Sequence, residues 1–164
     1  MQSFYWLIEG VLAGCGRPGQ RHRAHNGAAP APDPLAADLS WLKAHGIGAL
    51  LSLTEESLQG DVTDQSGLLI MHVPIPDLHA PTLGELERAL AFIDQQRAAG
   101  RAIAVHCLMG QGRTGAVLGA YLIRGGLSAG AALAEVRAAC PGAVGSAAQE
   151  DFLRDYAAGR AWLV

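Results

Sequence analysis

Lys43 is the only lysine among the twelve basic residues of the chain, so arginine carries nearly all of the positive charge. Charge of either sign is sparse. Only 16% of the 164 residues are charged, and the net charge is −3 at neutral pH. A balance of that kind supplies no global field to draw the protein to nucleic acid or to an anionic membrane, so neither is expected as a partner. Cysteine is scarce as well. Cys15, Cys107 and Cys140 cannot all pair within one chain and are too few for a disulfide scaffold, which makes a reducing cytoplasm the expected compartment. No apolar run approaches the length of a membrane span. The opening stretch MQSFYWLIEGVLAGCG lacks a basic leader, and Glu9 interrupts its apolar run, which argues against a signal segment. The six histidines show no metal-ligand spacing. His22 and His25 stand three apart, but in an arginine-rich stretch without further ligands, so neither a metal nor another cofactor is expected.

Half of the chain is apolar, an ordinary globular composition, and 164 residues suffice for one domain, 1–164, with a full core. There is no internal repeat. The residues 14–34, rich in Gly, Pro, Ala and Arg, have no periodicity and are expected to form a surface loop. It should join a strand pair at about 4–13 to a helix from Pro34 to about His45, with Asp33 as N-cap, Pro34 in the first turn and Gly46 as terminator. IGALLSLT (47–54) and LLIMHVPI (68–75) read as buried strands. Thr82 with Glu85 forms a capping box ahead of a helix that Gly100 closes. AIAVH (102–106) is the next strand. Three helical stretches follow, the last opened by Ser146 with Gln149, which read most simply as a second capping box. Strands alternate with helices and then helices accumulate, the pattern of an α/β fold with a central sheet covered by helices.

Strand 102–106 runs straight into CLMGQGRTG, and a helix begins near Arg113. A buried strand's carboxyl end facing a helix N-terminus is the usual ligand position in α/β folds. The stretch Leu108-Met109-Gly110-Gln111-Gly112 can turn its backbone N–H groups inward and make an anion-binding nest, backed by the helix dipole. A thiol beside an arginine at a helix N-terminus is shifted towards the thiolate, which is the state expected of Cys107. Arg113 adds a planar fork able to hold two phosphate oxygens at once. A phosphate cradle with a nucleophile at its floor predicts covalent phosphoryl transfer: attack by Cys107, stabilisation of the equatorial oxygens by Arg113 and backbone donors, and help from the Thr114 hydroxyl when sulfur leaves.

HCLMGQGRTG matches H-C-x-x-G-x-x-R-[ST]-G, and on these residues the chain resembles the cysteine-dependent protein tyrosine phosphatases. VLAG near the start, LLSLTEE (50–56), VPIPD (73–77) and CPGAVGSAAQEDFLRDY (140–156) extend the resemblance to the small atypical dual-specificity phosphatases. It implies a sheet of four parallel strands and one antiparallel, flanked by helices, with the phosphate loop between a strand and a helix. It implies a metal-independent phosphomonoester hydrolase acting on phosphotyrosine, and on phosphoserine or phosphothreonine, of a phosphoprotein or phosphopeptide. It places the general acid at Asp77, on a loop stiffened by Pro74, Pro76 and Pro81. The bland alternative for Asp77 is a turn cap, and His79 is a weaker candidate acid. His106 should orient the loop from behind without donating a proton.

The resemblance also allows Gln149 to position the attacking water. Cys140 stands where the resembling sequences carry arginine before Pro-Gly. That departure removes an ion pair and leaves either a small buried residue or a redox partner for Cys107. Arg17, Arg21, His22, Arg23 and His25 could guide an anionic substrate, although a solvated loop is the simpler reading. Leu108, Met109 and Gln111 bring no charge into the loop, which favours a singly phosphorylated group over polyphosphoinositides. A monomer is expected. The competing readings are a phosphate-binding module that recognises phosphoproteins without turnover, a phosphatase of a non-protein ester, and a rhodanese-like sulfur transferase, which leaves Arg113-Thr114-Gly115 and Asp77 unexplained.

Overall fold

The computed structural model describes residues 1, 3–20, 33–58 and 60–159. Five strands form one sheet: β1 (Tyr5–Ile8), β2 (Leu12–Cys15), β3 (Ile47–Ser52), β4 (Leu69–His72) and β5 (Ala102–His106). Their order across the sheet is β1-β2-β5-β3-β4. β1 runs antiparallel to β2 and every other neighbouring pair is parallel, the arrangement that the resemblance implies. The last strand in sequence therefore lies between β2 and β3. The loop that follows it is flanked by the carboxyl ends of both.

The period-two alternation of strand side chains divides the core into two layers. Ala49, Leu51, Ile103 and Val105 pack on one face with α3 (Leu83–Ala98), α4 (Gly112–Arg124), α5 (Ala129–Ala139) and α6 (Ala147–Ala157). Leu50 and Ala104 pack on the other with Leu39 and Leu42 of α1 (Pro34–Ala44). α4 is buried along its whole first half, from Arg113 to Tyr121, as the central helix of its layer must be. Gly115 and Gly119 permit this. A Cβ at Gly115 would stand 3.1 Å from Val144, and one at Gly119 would stand 3.0 Å from Leu153.

The caps are local and follow the sequence. Asp33 accepts from the N–H groups of Leu35 and Ala36, with Pro34 in the first turn. Both halves of the Thr82–Glu85 box are formed. Three expectations need correction. The run 68–75 is a strand only over 69–72, because Pro74 and Pro76 have no N–H to continue a ladder; Val73 and Ile75 still donate to Ser52 and Leu53. Gly14 and Cys15 belong to β2 and are buried, so the strand reaches into the segment read as loop. A short helix, α2 (Asp61–Gln65), was not expected; it contributes no buried residue and left no apolar period to read. Most of the 14–34 loop, including Arg21, His22, Arg23 and His25, lies outside the described residues. Among the described residues no helix is long and apolar enough to cross a membrane.

Leu51 and Leu69 lie on adjacent strands, but Leu51 is fully buried and Leu69 is 47% exposed. Leu51→Ala should cost about 2–5 kcal/mol in urea unfolding, and Leu69→Ala about 0.5 kcal/mol or less.

Candidate active site

The strand-to-helix loop closes around a cavity of about 240 Å³. Cys107 lies at its floor, 3% exposed, with Leu108, Met109, Gln111, Gly112 and Arg113 around it and Asp77, Leu78, Ser146 and Gln149 on the opposite side. Cys107, Arg113 and Asp77, separated by up to 36 positions in the chain, thus meet in one pocket. Gly110, expected in the cradle, does not line the cavity. Its φ is +76°, and a Cβ there would stand 2.5 Å from the Cys15 carbonyl carbon, so only glycine fits where the loop rests on β2. Thr114 is fully buried behind the lining. α4 begins after Gln111 with no side-chain cap, which leaves its first N–H groups and the positive end of its dipole turned to the cavity side.

Arg113 is 2% exposed and tightly held. Its Nη1 donates to Glu55 Oε2 and to the Ile75 carbonyl, each at 2.8 Å. Its Nη2 pairs with Asp77 Oδ1 at 3.0 Å. Its Nε, the Thr114 Oγ1 and the His106 Nε2 are buried without a protein partner. The fork is therefore engaged at Nη2 by a carboxylate that sequence reasoning had placed separately, and at Nη1 by Glu55, which it had missed. Glu55 also accepts from the Asp77 N–H at 2.8 Å, so one carboxylate ties Arg113 to the loop that carries Asp77. The Arg113 hydrogen bond, helped by backbone N–H groups, lowers the Glu55 carboxyl to about 2.

His106 is fully buried, with Nδ1 3.3 Å from the Cys107 carbonyl. Burial lowers it to about 3, so it is neutral and positions the loop backbone without carrying charge. His79 is exposed, and its Nδ1 stands 2.7 Å from the Asp77 carbonyl. Arg17 corrects the solvated-loop reading. It donates to Thr54 Oγ1 at 2.7 Å and to the Glu56 carbonyl at 2.9 Å, beside Leu108, whose carbonyl accepts from the Arg17 N–H at 3.1 Å. Gln149 corrects the second capping box. Ser146 does accept from the Gln149 N–H, but the Gln149 side chain is 2% exposed, donates to the His79 carbonyl at 3.3 Å and lines the cavity. Cys140 is buried and free.

Because Glu55 is depressed from 4.5 to about 2, its contribution to stability is complete above pH 4.5 and is lost as pH falls towards 2. Glu55→Gln should flatten the fall of the urea midpoint across that window, with a smaller difference at high salt because Glu55 is half exposed.

The model of a family described as "Polymorphic toxin system, DSP-PTPase phosphatase" matches residues 27–127, more than half of the chain. Dual specificity protein phosphatase 12 of Rattus norvegicus is 35% identical over 85 residues, which cover 51% of this chain and 25% of that one. Tyrosine-protein phosphatase cdcA of Emericella nidulans is 30% identical over 115 residues, 69% of this chain and 19% of that one. The chain thus spans about a quarter of the length of the curated relatives it matches. Among solved structures, Tk-PTP in its active form superposes with a TM-score of 0.78 at 28% identity, over 95% of this chain and 97% of that one. Kinase associated phosphatase shares the fold at a TM-score of 0.79 and 20% identity, over 100% of this chain and 97% of that one. On its strand order, its loop and these likenesses, the chain belongs to the dual-specificity phosphatases of the cysteine-dependent protein tyrosine phosphatase superfamily.

Proposed function

We propose that the protein is a metal-independent phosphomonoester hydrolase that acts on phosphotyrosine through a cysteinyl-phosphate intermediate. The observation that carries this reading is the meeting of Cys107, Arg113 and Asp77 in one cavity. A phosphate entering it replaces Asp77 at Arg113 Nη2 and reaches the unpartnered Nε, which gives the bidentate grip. The Cys107 sulfur attacks phosphorus and the ester P–O bond breaks. Asp77 in its acid form gives its proton to the leaving oxygen. In the second step water attacks phosphorus, the P–S bond breaks and Asp77 takes the water's proton. In this reading Gln149, buried at the cavity beside Gly112, orients that water, and the unpartnered Thr114 hydroxyl supports the departing sulfur.

The cavity's rim supports an aromatic ester. Among the described residues four large apolar side chains are exposed, and Leu78, Leu108 and Met109 are three of them, all on this rim. Among the described residues the charged side chains lining the cavity are Asp77 and Arg113, so the loop offers a second phosphate no cation of its own. A phenyl ring can cover the apolar rim, whereas a serine methylene covers little of it.

Hydrolysis of p-nitrophenyl phosphate in EDTA tests the reading. Wild type should turn over, and Cys107→Ser should lose all measurable turnover while still binding phosphate esters. Activity dependent on added metal, or persisting in Cys107→Ser, would overturn it. An inactive wild type that binds phosphopeptides would establish the module without turnover. Asp77→Asn should slow esters with alkoxide-like leaving groups by about 10²–10⁴-fold and p-nitrophenyl phosphate far less, measured as kcat. Equal slowing of both would remove Asp77 from the acid role.

A further inference from the structure

The cradle is formed by backbone groups of a glycine-containing loop, and a glycine peptide plane is free to rotate. Something behind the loop must therefore fix it. Tyr5 on β1 is the residue in place to do so. It pairs across the ladder with Gly14 of β2, and its ring lies over that glycine: a Cβ at Gly14 would stand 2.3 Å from the Tyr5 Cζ and hydroxyl. The missing side chain lets the phenol cross β2 and reach the loop after β5. There its hydroxyl donates to the Gly110 carbonyl at 2.9 Å.

The peptide between Gly110 and Gln111 is planar and trans, so its N–H points opposite to its C=O. With the Gly110 oxygen drawn back towards Tyr5, the Gln111 N–H is directed forward, to the side where Gln111, Cys107 and Arg113 line the cavity. We propose that Tyr5 is a positioning residue of the site: by holding the Gly110 carbonyl it keeps the Gln111 N–H aimed at the phosphate. Burial raises the phenol, and the neighbouring Cys140, Cys107 and Cys15 push it the same way, so it remains a hydrogen donor throughout the working pH range. The Cys15 carbonyl blocks Gly110 from moving back into β2, and the Arg17 N–H fixes Leu108, which leaves rotation of this peptide as the loop's free motion.

This rests on the reading of residues 107–113 as a phosphate cradle, and its test is separable from catalysis. Tyr5→Phe removes one hydroxyl and keeps the ring over Gly14, so the melting temperature should change by only a few degrees. Binding of inorganic phosphate and of orthovanadate is then measured for both proteins by titration, with the Gln111 amide resonance followed by NMR. Tyr5→Phe should weaken vanadate by about tenfold and phosphate by less, because the trigonal-bipyramidal vanadate draws more on directed donors. The shift of the Gln111 amide on binding should shrink. Equal affinities in the two proteins, or an equal loss for both anions with an unchanged Gln111 shift, would overturn the proposal. A wild type that binds both anions without hydrolysing any ester would refute the hydrolase reading and leave the Tyr5 comparison decisive. A wild type that binds neither would overturn the positioning role together with the cradle.

Discussion

A buried guanidinium is the constraint on which the rest of this structure depends. Arg113 is 2% exposed, and a cation removed from water needs partners, which it finds at both Nη atoms while Nε has none. Those partners come from Glu55, just beyond β3, from the Ile75 carbonyl beyond β4, and from Asp77 on the loop after it. Only a sheet with β5 beside β3 and β3 beside β4 brings these carboxyl ends to the start of α4. The ion pairs are asymmetric. The cation is buried, whereas Glu55 and Asp77 are 54% and 56% exposed. The carboxylates therefore retain much of their hydration, and exchanging one of them for a phosphate dianion costs little additional desolvation. Glu55 is tied also to the Asp77 backbone, so in the proposed reaction Glu55 stays and Asp77 gives way.

The side chains that back the loop are neutral. Behind it stand a neutral His106, the Tyr5 phenol, and the thiols of Cys15 and Cys140, none of them ionised near neutrality. None of these four groups cancels the field of Arg113 and of the uncapped start of α4. In a medium of low effective dielectric that separation matters more than any single distance, since a charged group behind the cradle would compete with the substrate for the same field.

What could be read from the sequence divides along the same physical line. β5, the loop and α4 are contiguous, and the Thr82 and Asp33 caps depend on neighbours within three residues, so the sequence carried them. Asp77 was legible through its prolines and the family pattern. Glu55 and Tyr5 were not, because their roles depend on strand order: Glu55 reaches Arg113 across 58 positions and Tyr5 reaches Gly110 across 105. Gln149 shows a local signal overridden by packing. Ser146 caps α6 as expected, but the Gln149 carboxamide lies where a Cβ at Gly112 would meet it at 2.9 Å and donates to the acid loop, so it is unavailable to complete the box. For Arg17, composition suggested solvent, and three oxygens beyond β3 hold it instead.

The acid loop has one more feature that bears on the proposed reaction. Leu78 follows Asp77 with φ +62° and a side chain 73% exposed. A leucine in left-handed backbone costs about 1–2 kcal/mol, and its exposure recovers nothing by burial. Such a conformation persists only where its surroundings over-determine it. They do here: Glu55 accepts from the Asp77 N–H, the Ser146 hydroxyl donates to the Leu78 carbonyl, Gln149 donates to the His79 carbonyl, and the His79 N–H returns to Pro76. A loop held at four consecutive points, between rigid prolines, has little room to swing. In the proposed reaction the acid would move from Arg113 to the leaving group by rotation of the Asp77 side chain alone, while the backbone that carries it, and the leucine beside it, would stay in place to meet the proposed aromatic ester.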